Sequence, residues 1–279
     1  MNLLTATRTV LLTGASHGIG PYIARALAAE GMDLVLTART EDELSAVADE
    51  VRAIGVNATV AAADLTTEEG IDRVAVAAEA AGADVIVNNA GGDPIREFEE
   101  MSWSENQRIL ALNLVAPLAL TRRLLPGMLA GRRGHVVNIS AIAGRVGFPH
   151  TEVYAAAKDG LIAFTRVLRT DYRDRGVSAS SVILGAIRGA GQGQRMADQI
   201  GMKLPAAATA PAEKVARAVV RAIRDDVPEL VVMPGPGRLI KALMDLFPSL
   251  GPAVNRMSGT DATLRRVMDA RLVSSDAHS

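Results

Sequence analysis

The chain has 279 residues, no cysteine, and a formal net charge of −1 from 30 Lys and Arg against 31 Asp and Glu. A near-neutral balance leaves no electrostatic footprint for nucleic acid or a strongly charged partner, and the lack of thiols excludes disulfides, thiolate catalysis and Cys-ligated metal. With 49% hydrophobic and 22% charged residues, the composition is that of a soluble globular protein of one large or two small domains.

The start, MNLLTATRTVLLTG, lacks the basic-then-apolar order of a signal peptide, and a reducing, cytoplasmic setting is expected. No run of about 18 apolar residues occurs; Asn113 and Pro117 interrupt the stretch 109–120. No integral membrane segment is therefore expected. The histidines, at 17, 135, 150 and 278, have no ligand spacing, so no metal is expected.

In chain order, short β-rich apolar runs alternate with longer helical patterns. Strands are predicted at 8–13, 33–38, 57–63, 83–88, 134–140, 177–183 and 229–233, and helices at 19–30, 41–54, 67–81, 104–130, 153–173 and 212–224. This alternation implies βαβ units. The predicted class is α/β: a Rossmann-type, doubly wound parallel sheet of about seven strands with helices on both faces. The strands read as continuous apolar runs, as a sheet covered on both sides requires.

Residues 1–233 are expected to form this Rossmann-type domain, and 234–279 a C-terminal helical extension that begins at the turn-rich MPGPG and packs on the same domain or a partner subunit. Within the extension, RLIKALMDLF carries an apolar stripe of Leu239, Ile240, Leu243, Met244 and Phe247. The stripe can pack on its own core, cover a partner's active site, or lie on a membrane surface, for which only Arg238 and Lys241 supply a basic face. DATLRRVMDARLV follows, and the final SSDAHS reads as a frayed tail.

The first strand runs into Thr13-Gly14-Ala15-Ser16-His17-Gly18-Ile19-Gly20, and a helix follows. Glycines there permit a tight turn and close backbone approach, and the helix start presents free N–H groups to a pyrophosphate. The second strand ends in Ala38 and Arg39, where NAD sites usually place a carboxylate for the ribose 2′-OH. A carboxylate would repel a 2′-phosphate and a guanidinium binds one. With Ser16 and His17 as further donors, this favours NADP(H) over NAD(H). Asp64 and Leu65 follow the third strand, where adenine should lie. Asn88, Asn89, Ala90 and Gly91 follow the fourth, where small residues admit the cofactor and asparagines can tie strands together.

Tyr154 and Lys158 are one helical turn apart on a common face. A nearby ammonium favours the phenolate and is expected to lower the tyrosine pKa, suiting Tyr154 to proton transfer near neutral pH. Asn113 lies inside an apolar helix, where its amide needs partners.

TGASHGIG, Asp64, NNAG, Asn113 and Tyr154-x-x-x-Lys158, in this order and spacing, resemble the short-chain dehydrogenase/reductase family over roughly residues 6–233. The resemblance implies that Lys158 also holds the nicotinamide ribose, that Asn113 completes a proton relay through water, and that the chain is a homodimer or homotetramer. Two departures stand out. The family's active serine lies thirteen residues before the tyrosine, and that position is Ala141; Ser140 is one residue early and should point to the opposite face of its strand unless a bulge intervenes. The family's Pro-Gly-x-x-x-Thr after the sixth strand reads Leu184-Gly185-Ala186-Ile187-Arg188-Gly189, leaving Ile187 backbone groups for the nicotinamide carboxamide.

Residues 189–211 match the family's substrate loop, with a helical piece predicted at 194–202. Met196, Ile200, Met202 and Leu204 either line an apolar pocket or pack on the core. The resulting expectation is an NADP(H)-dependent oxidoreductase acting on a carbonyl or alcohol of a small, mainly apolar substrate. The alternatives are reduction of a C=C or C=N bond, and a non-redox or cofactor-binding role.

Overall fold

The computed structural model describes residues 8–247, 249–257, 262–266 and 268. The elements run β1 (Thr9–Thr13), α1 (Gly20–Ala29), β2 (Asp33–Thr37), α2 (Glu41–Ile54), β3 (Ala58–Val60), α3 (Glu68–Ala80), β4 (Val85–Asn88), α4 (Trp103–Leu110), a π-helical turn (Ala111–Val115), and α5 (Ala116–Ala130). They continue as β5 (Gly134–Ala141), α6 (Ala143–Val146), α7 (Glu152–Tyr172), β6 (Val177–Leu184), β7 (Ile187–Arg188), α8 (Gly191–Gln199), β8 (Ala210–Pro211), α9 (Ala212–Asp225), β9 (Glu229–Val232), α10 (Gly237–Leu246) and α11 (Leu250–Met257).

Seven strands form one parallel sheet in the order β3-β2-β1-β4-β5-β6-β9. The chain leaves β1 toward one edge and returns to β4 on its other side. That reversal opens a crevice at the carboxyl ends of β1 and β4, the place where doubly wound sheets hold ligands. Side chains alternate between the two faces of each strand. Val10 and Leu12 of β1 pack with Ile23, Leu27, Leu44 and Val219 on one face. Leu11 packs with Val74, Leu120, Leu124 and Leu168 on the other. The unbroken apolar run Val10–Leu12 of β1 is thus explained by burial on both sides.

Most boundaries shift by one or two residues from the sequence expectations, and three elements differ in kind or extent. The third strand, expected over 57–63, is Ala58–Val60, although Ala61 and Ala63 N–H still donate to Leu36 and Ala38 carbonyls at 2.9 Å. The helix expected over 104–130 is a 28-residue rod, Trp103–Ala130, interrupted by the π turn. By length and composition this rod would suffice to cross a bilayer. Here it is a core helix: Leu120, Leu124 and Met128 are buried in the sheet core, and Arg123 pairs with Asp72 of α3 at 3.0 Å. The helix expected over 194–202 begins three residues earlier, at Gly191. Gln194 Oε1 accepts from Gly189 N–H at 2.9 Å and secures that start. Gly201, with φ +63, closes the far end in the left-handed region.

The apolar stripe of α10 divides. Met244 packs against Ile142, Val146, Ile162 and Ile183, whereas Leu239, Leu243 and Phe247 are exposed. Lys241 does not join a basic outer face: it is buried and pairs with Glu229 at 3.3 Å and Asp245 at 2.9 Å. The side chain of Arg238 and the expected tail, 274–279, lie outside the described residues.

Candidate active site

The crevice begins at the end of β1. Thr13 Oγ1 accepts from the N–H groups of Asn89 (3.0 Å) and Ala90 (2.9 Å), while Asn89 Nδ2 donates to the carbonyls of Thr13 (3.0 Å) and Gly14 (2.9 Å). These bonds lock the carboxyl end of β4 onto that of β1. Asn88 Nδ2 extends the tie to Asn138 Oδ1 on β5 at 2.8 Å. The asparagines therefore join strands, as the sequence suggested. A Cβ on Gly14 would stand 2.8 Å from Ala90 Cα, and Gly14 has φ +64, so glycine is required there on both counts. α1 then starts without a side-chain cap at Ile19, leaving its first amides and the positive end of its dipole open to an anion.

The crevice encloses about 750 Å³. Gly14, Ser16, His17, Gly18 and Ile19 line one part, Arg39, Asp64 and Leu65 another, and Asn89, Ala90, Gly91, Tyr154, Lys158 and Ile187 the rest. Gly20 is buried beneath, where a Cβ would come 2.1 Å from Gly14 O. The Ser16 hydroxyl and His17 Nδ1 bond to each other at 2.7 Å, and His17 Nε2 meets Glu43 at 2.8 Å. Asp64 accepts from Thr66 N–H (2.9 Å) and Thr66 Oγ1 (2.8 Å). Partial burial raises its carboxyl, but the Thr66 bonds and the charges of Arg108 and Arg39 outweigh that and hold it below its ordinary value. A glycine-lined cradle with the first amides of α1 uncapped fits a dinucleotide in size and in chemistry.

At the far end α7 presents Tyr154 and Lys158. Lys158 Nζ lies 5.6 Å from the Tyr154 ring centroid and donates to Ile139 O at 3.1 Å. Burial pushes the ammonium down to about 8. Asn113 sits in the π turn and is fully buried. Its Nδ2 donates to Ile109 O at 2.9 Å and to Gly92 O at 2.8 Å, and its Oδ1 accepts from Gly92 N–H at 3.2 Å. A π turn breaks the regular i to i−4 ladder, and the amide supplies a donor to Ile109 O there. Asn113 and Lys158 converge on Gly91: a Cβ there would fall 2.7 Å from Asn113 Oδ1 and 3.1 Å from Lys158 Nζ.

The expected lowering of the Tyr154 pKa is overturned. Desolvation, followed by the negative charge of Asp93, raises the phenol above its ordinary value. Lys158, itself desolvated, does not reverse this. Asp93 carries no recognisable signal in the sequence beyond following the glycines at 91 and 92.

Ser140 borders the crevice, but its hydroxyl is engaged within the protein. It is buried and its Oγ donates to the Lys158 carbonyl at 2.8 Å. β5 pairs with β6 without interruption from Gly134 to Ala141, so no bulge re-aims it. Ala141, half-buried, lines the crevice. Gly189 has φ +76, a conformation that a threonine would adopt only with strain.

The part of the crevice beside α8 is assembled from distant segments. Ile95, Met196 and Leu264 line it, and with Met268 they form one apolar cluster. The stretch containing Leu264 thus closes over the crevice of its own chain. Leu264 and Met268 are four apart, a helical spacing legible in DATLRRVMDA, but their target was not. Of the apolar residues expected in the loop, only Met196 reaches the crevice. Met202 and Leu204 line a separate depression of about 480 Å³ beside Arg188 and Lys203, and Ile200 lines neither cavity.

A family model described as short chain dehydrogenase matches residues 8–200. The ketoacyl reductase HetN of Nostoc sp. is 35% identical over 260 residues, spanning 90% of this chain and 86% of its own. The 3-oxoacyl-(acyl-carrier-protein) reductase FabG of Vibrio cholerae is 34% identical over 64% of this chain and 73% of its own. A metagenomic short-chain oxidoreductase crystallised in complex with NADP superposes with a TM-score of 0.70 at 32% identity, over 82% of this chain and 97% of its own. The parallel sheet, the glycine cradle and these similarities lead to one conclusion: the chain is an oxidoreductase of the short chain dehydrogenase family.

Proposed function

We propose that this protein is an NADP(H)-dependent reductase of a ketone or aldehyde on a small, mainly apolar substrate, with Tyr154 as general acid and base supported by Lys158 and Asn113. The observation that carries the reading is the convergence of these three side chains at one end of a crevice whose other end is a dinucleotide cradle. The ketoacyl reductase among the relatives agrees with a carbonyl on an apolar chain. Arg39 at the end of β2, with no carboxylate in its place, supports the 2′-phosphorylated cofactor.

A reduced nicotinamide, when bound, supplies the hydride. Gly14, Gly18 and Ile19 would cradle its pyrophosphate, Arg39 with Ser16 the 2′-phosphate, and Lys158 the nicotinamide ribose. The chain's own residues handle the proton. The raised pKa keeps the Tyr154 phenol protonated at neutral pH, so it can donate to the substrate oxygen as negative charge develops there. The positive charge of Lys158 stabilises the phenolate that remains. Burial brings the Lys158 ammonium down to about 8, and Asn113, held from both sides by Gly92, would complete the relay through a water.

A second reading, reduction of a C=C or C=N bond or a non-redox role, rests on Ala141. With Ser140 Oγ engaged by Lys158 O, no serine of β5 donates to the substrate oxygen, and loss of one such donor costs on the order of 100-fold elsewhere. NADPH consumption with product identification over ketones, enones and imines separates the readings, for wild type beside Ala141→Ser. Ketone turnover by wild type with little gain from the serine supports the first. Silence on ketones that Ala141→Ser relieves supports the second.

A further inference from the structure

Three Lys or Arg side chains line the crevice: Arg39, Lys158 and Arg195. Arg39 follows β2 at the adenosine end and Lys158 sits at the reacting end. Arg195 belongs to neither. It projects from α8, in the loop assigned above to the substrate, yet its Nη1 lies 3.6 Å from where a Cβ on Gly18 would stand. Gly191, at the start of α8, comes within 3.3 Å of the same point. α8 thus lies directly over the middle of the glycine turn. Its other attachment is on the substrate side, where Gln192 Nε2 donates to Asp93 O at 2.8 Å. Arg195 is exposed, and none of the described residues ion-pairs or hydrogen-bonds with it.

We infer that Arg195 is a binding residue for the dinucleotide pyrophosphate, closing over it from the side opposite the start of α1. This rests on the cofactor reading proposed above. The pyrophosphate carries two negative charges, and the cradle beneath it offers only backbone amides and the partial charge of one helix start. A guanidinium adds full charge and paired donors matched to phosphate oxygens. The neighbouring residue, Met196, joins Ile95, Leu264 and Met268 in the substrate roof. One short helix therefore grips cofactor phosphate through Arg195 and roofs the substrate through Met196, so bound dinucleotide holds the roof in place.

The test is dinucleotide affinity, read by quenching of protein fluorescence or by calorimetry, for NADPH and NADH separately. Arg195→Ala is expected to weaken both by about tenfold or more, with Arg195→Lys recovering part of the loss. Arg39→Ala, the control, is expected to weaken NADPH alone. Unchanged affinities in Arg195→Ala overturn the inference, as does a loss confined to NADPH, which would place Arg195 at the 2′-phosphate. Wild-type protein that binds neither dinucleotide overturns the cofactor reading itself, and this inference with it.

Discussion

The two ends of the crevice are built by different means. The cofactor end is mostly backbone: a glycine turn between β1 and α1, the Asn89–Gly91 turn after β4, and one hydroxyl, Thr13 Oγ1, holding them together. Its parts come from the ends of adjacent strands. The substrate end is mostly side chains, with Ile95, Met196 and Leu264 brought together from far apart in the chain. A backbone cradle tolerates little change where a Cβ would collide with main chain, as at Gly14 and Gly20. A side-chain roof can be trimmed while the main chain stays in place. The first end is therefore expected to respond to substitution as all or none, and the second by degrees.

The largest effect is expected at Tyr154. Tyr154→Phe removes the proton donor without altering the cradle, so kcat should fall roughly 10²- to 10⁴-fold while NADPH affinity is kept. Near-normal turnover would remove Tyr154 from the chemistry. Next comes the cradle. Gly14→Val drives a side chain into Ala90 main chain and places a β-branched residue at φ +64. Dinucleotide binding should be lost, with roughly 2–4 kcal/mol of stability, read by calorimetry and thermal melting. A variant that still binds NADPH would show the cradle to be softer than the contrast requires.

A smaller, graded effect is expected at the roof. Leu264→Ala should raise KM for bulky ketones by roughly 3–10-fold with kcat and NADPH affinity near wild type. Loss of NADPH binding in that variant would collapse the distinction between the ends. The smallest effect tests the charge beside Tyr154. Desolvation and then Asp93 raise its phenol; Asp93→Asn removes the second cause, so the pKa falls. Alcohol oxidation, which needs the phenolate, should move its pH–rate profile toward lower pH. A profile that stays in place would show that desolvation alone sets the titration.

What could be read in advance follows the same division. The glycine turn, Asn89–Gly91, Arg39 and the Tyr154–Lys158 pair were legible because each depends on neighbours within a few residues, on strand ends or on one helical turn. The strands were legible because burial on both faces demands unbroken apolar runs, as in Val10–Leu12. The facing of Ser140 followed from strand alternation alone, and its bond to Lys158 O agrees.

Other features had no local cause. The start of α8 was misplaced because a side chain, Gln194, reaching back to Gly189 N–H decides it. The α10 lysine turned inward because Glu229 and Asp245 wait there. The direction of the Tyr154 shift was reversed because it depends on how closely protein surrounds the ring and on Asp93, neither of which is a matter of spacing. Local stereochemistry and period are properties of a short stretch, so the amino-acid order alone settled the sheet, the glycine turn and the placing of Tyr154 and Lys158 on one helical face. Desolvation, ion pairing and the roof over the crevice depend on which distant segments meet, and folding alone settled those.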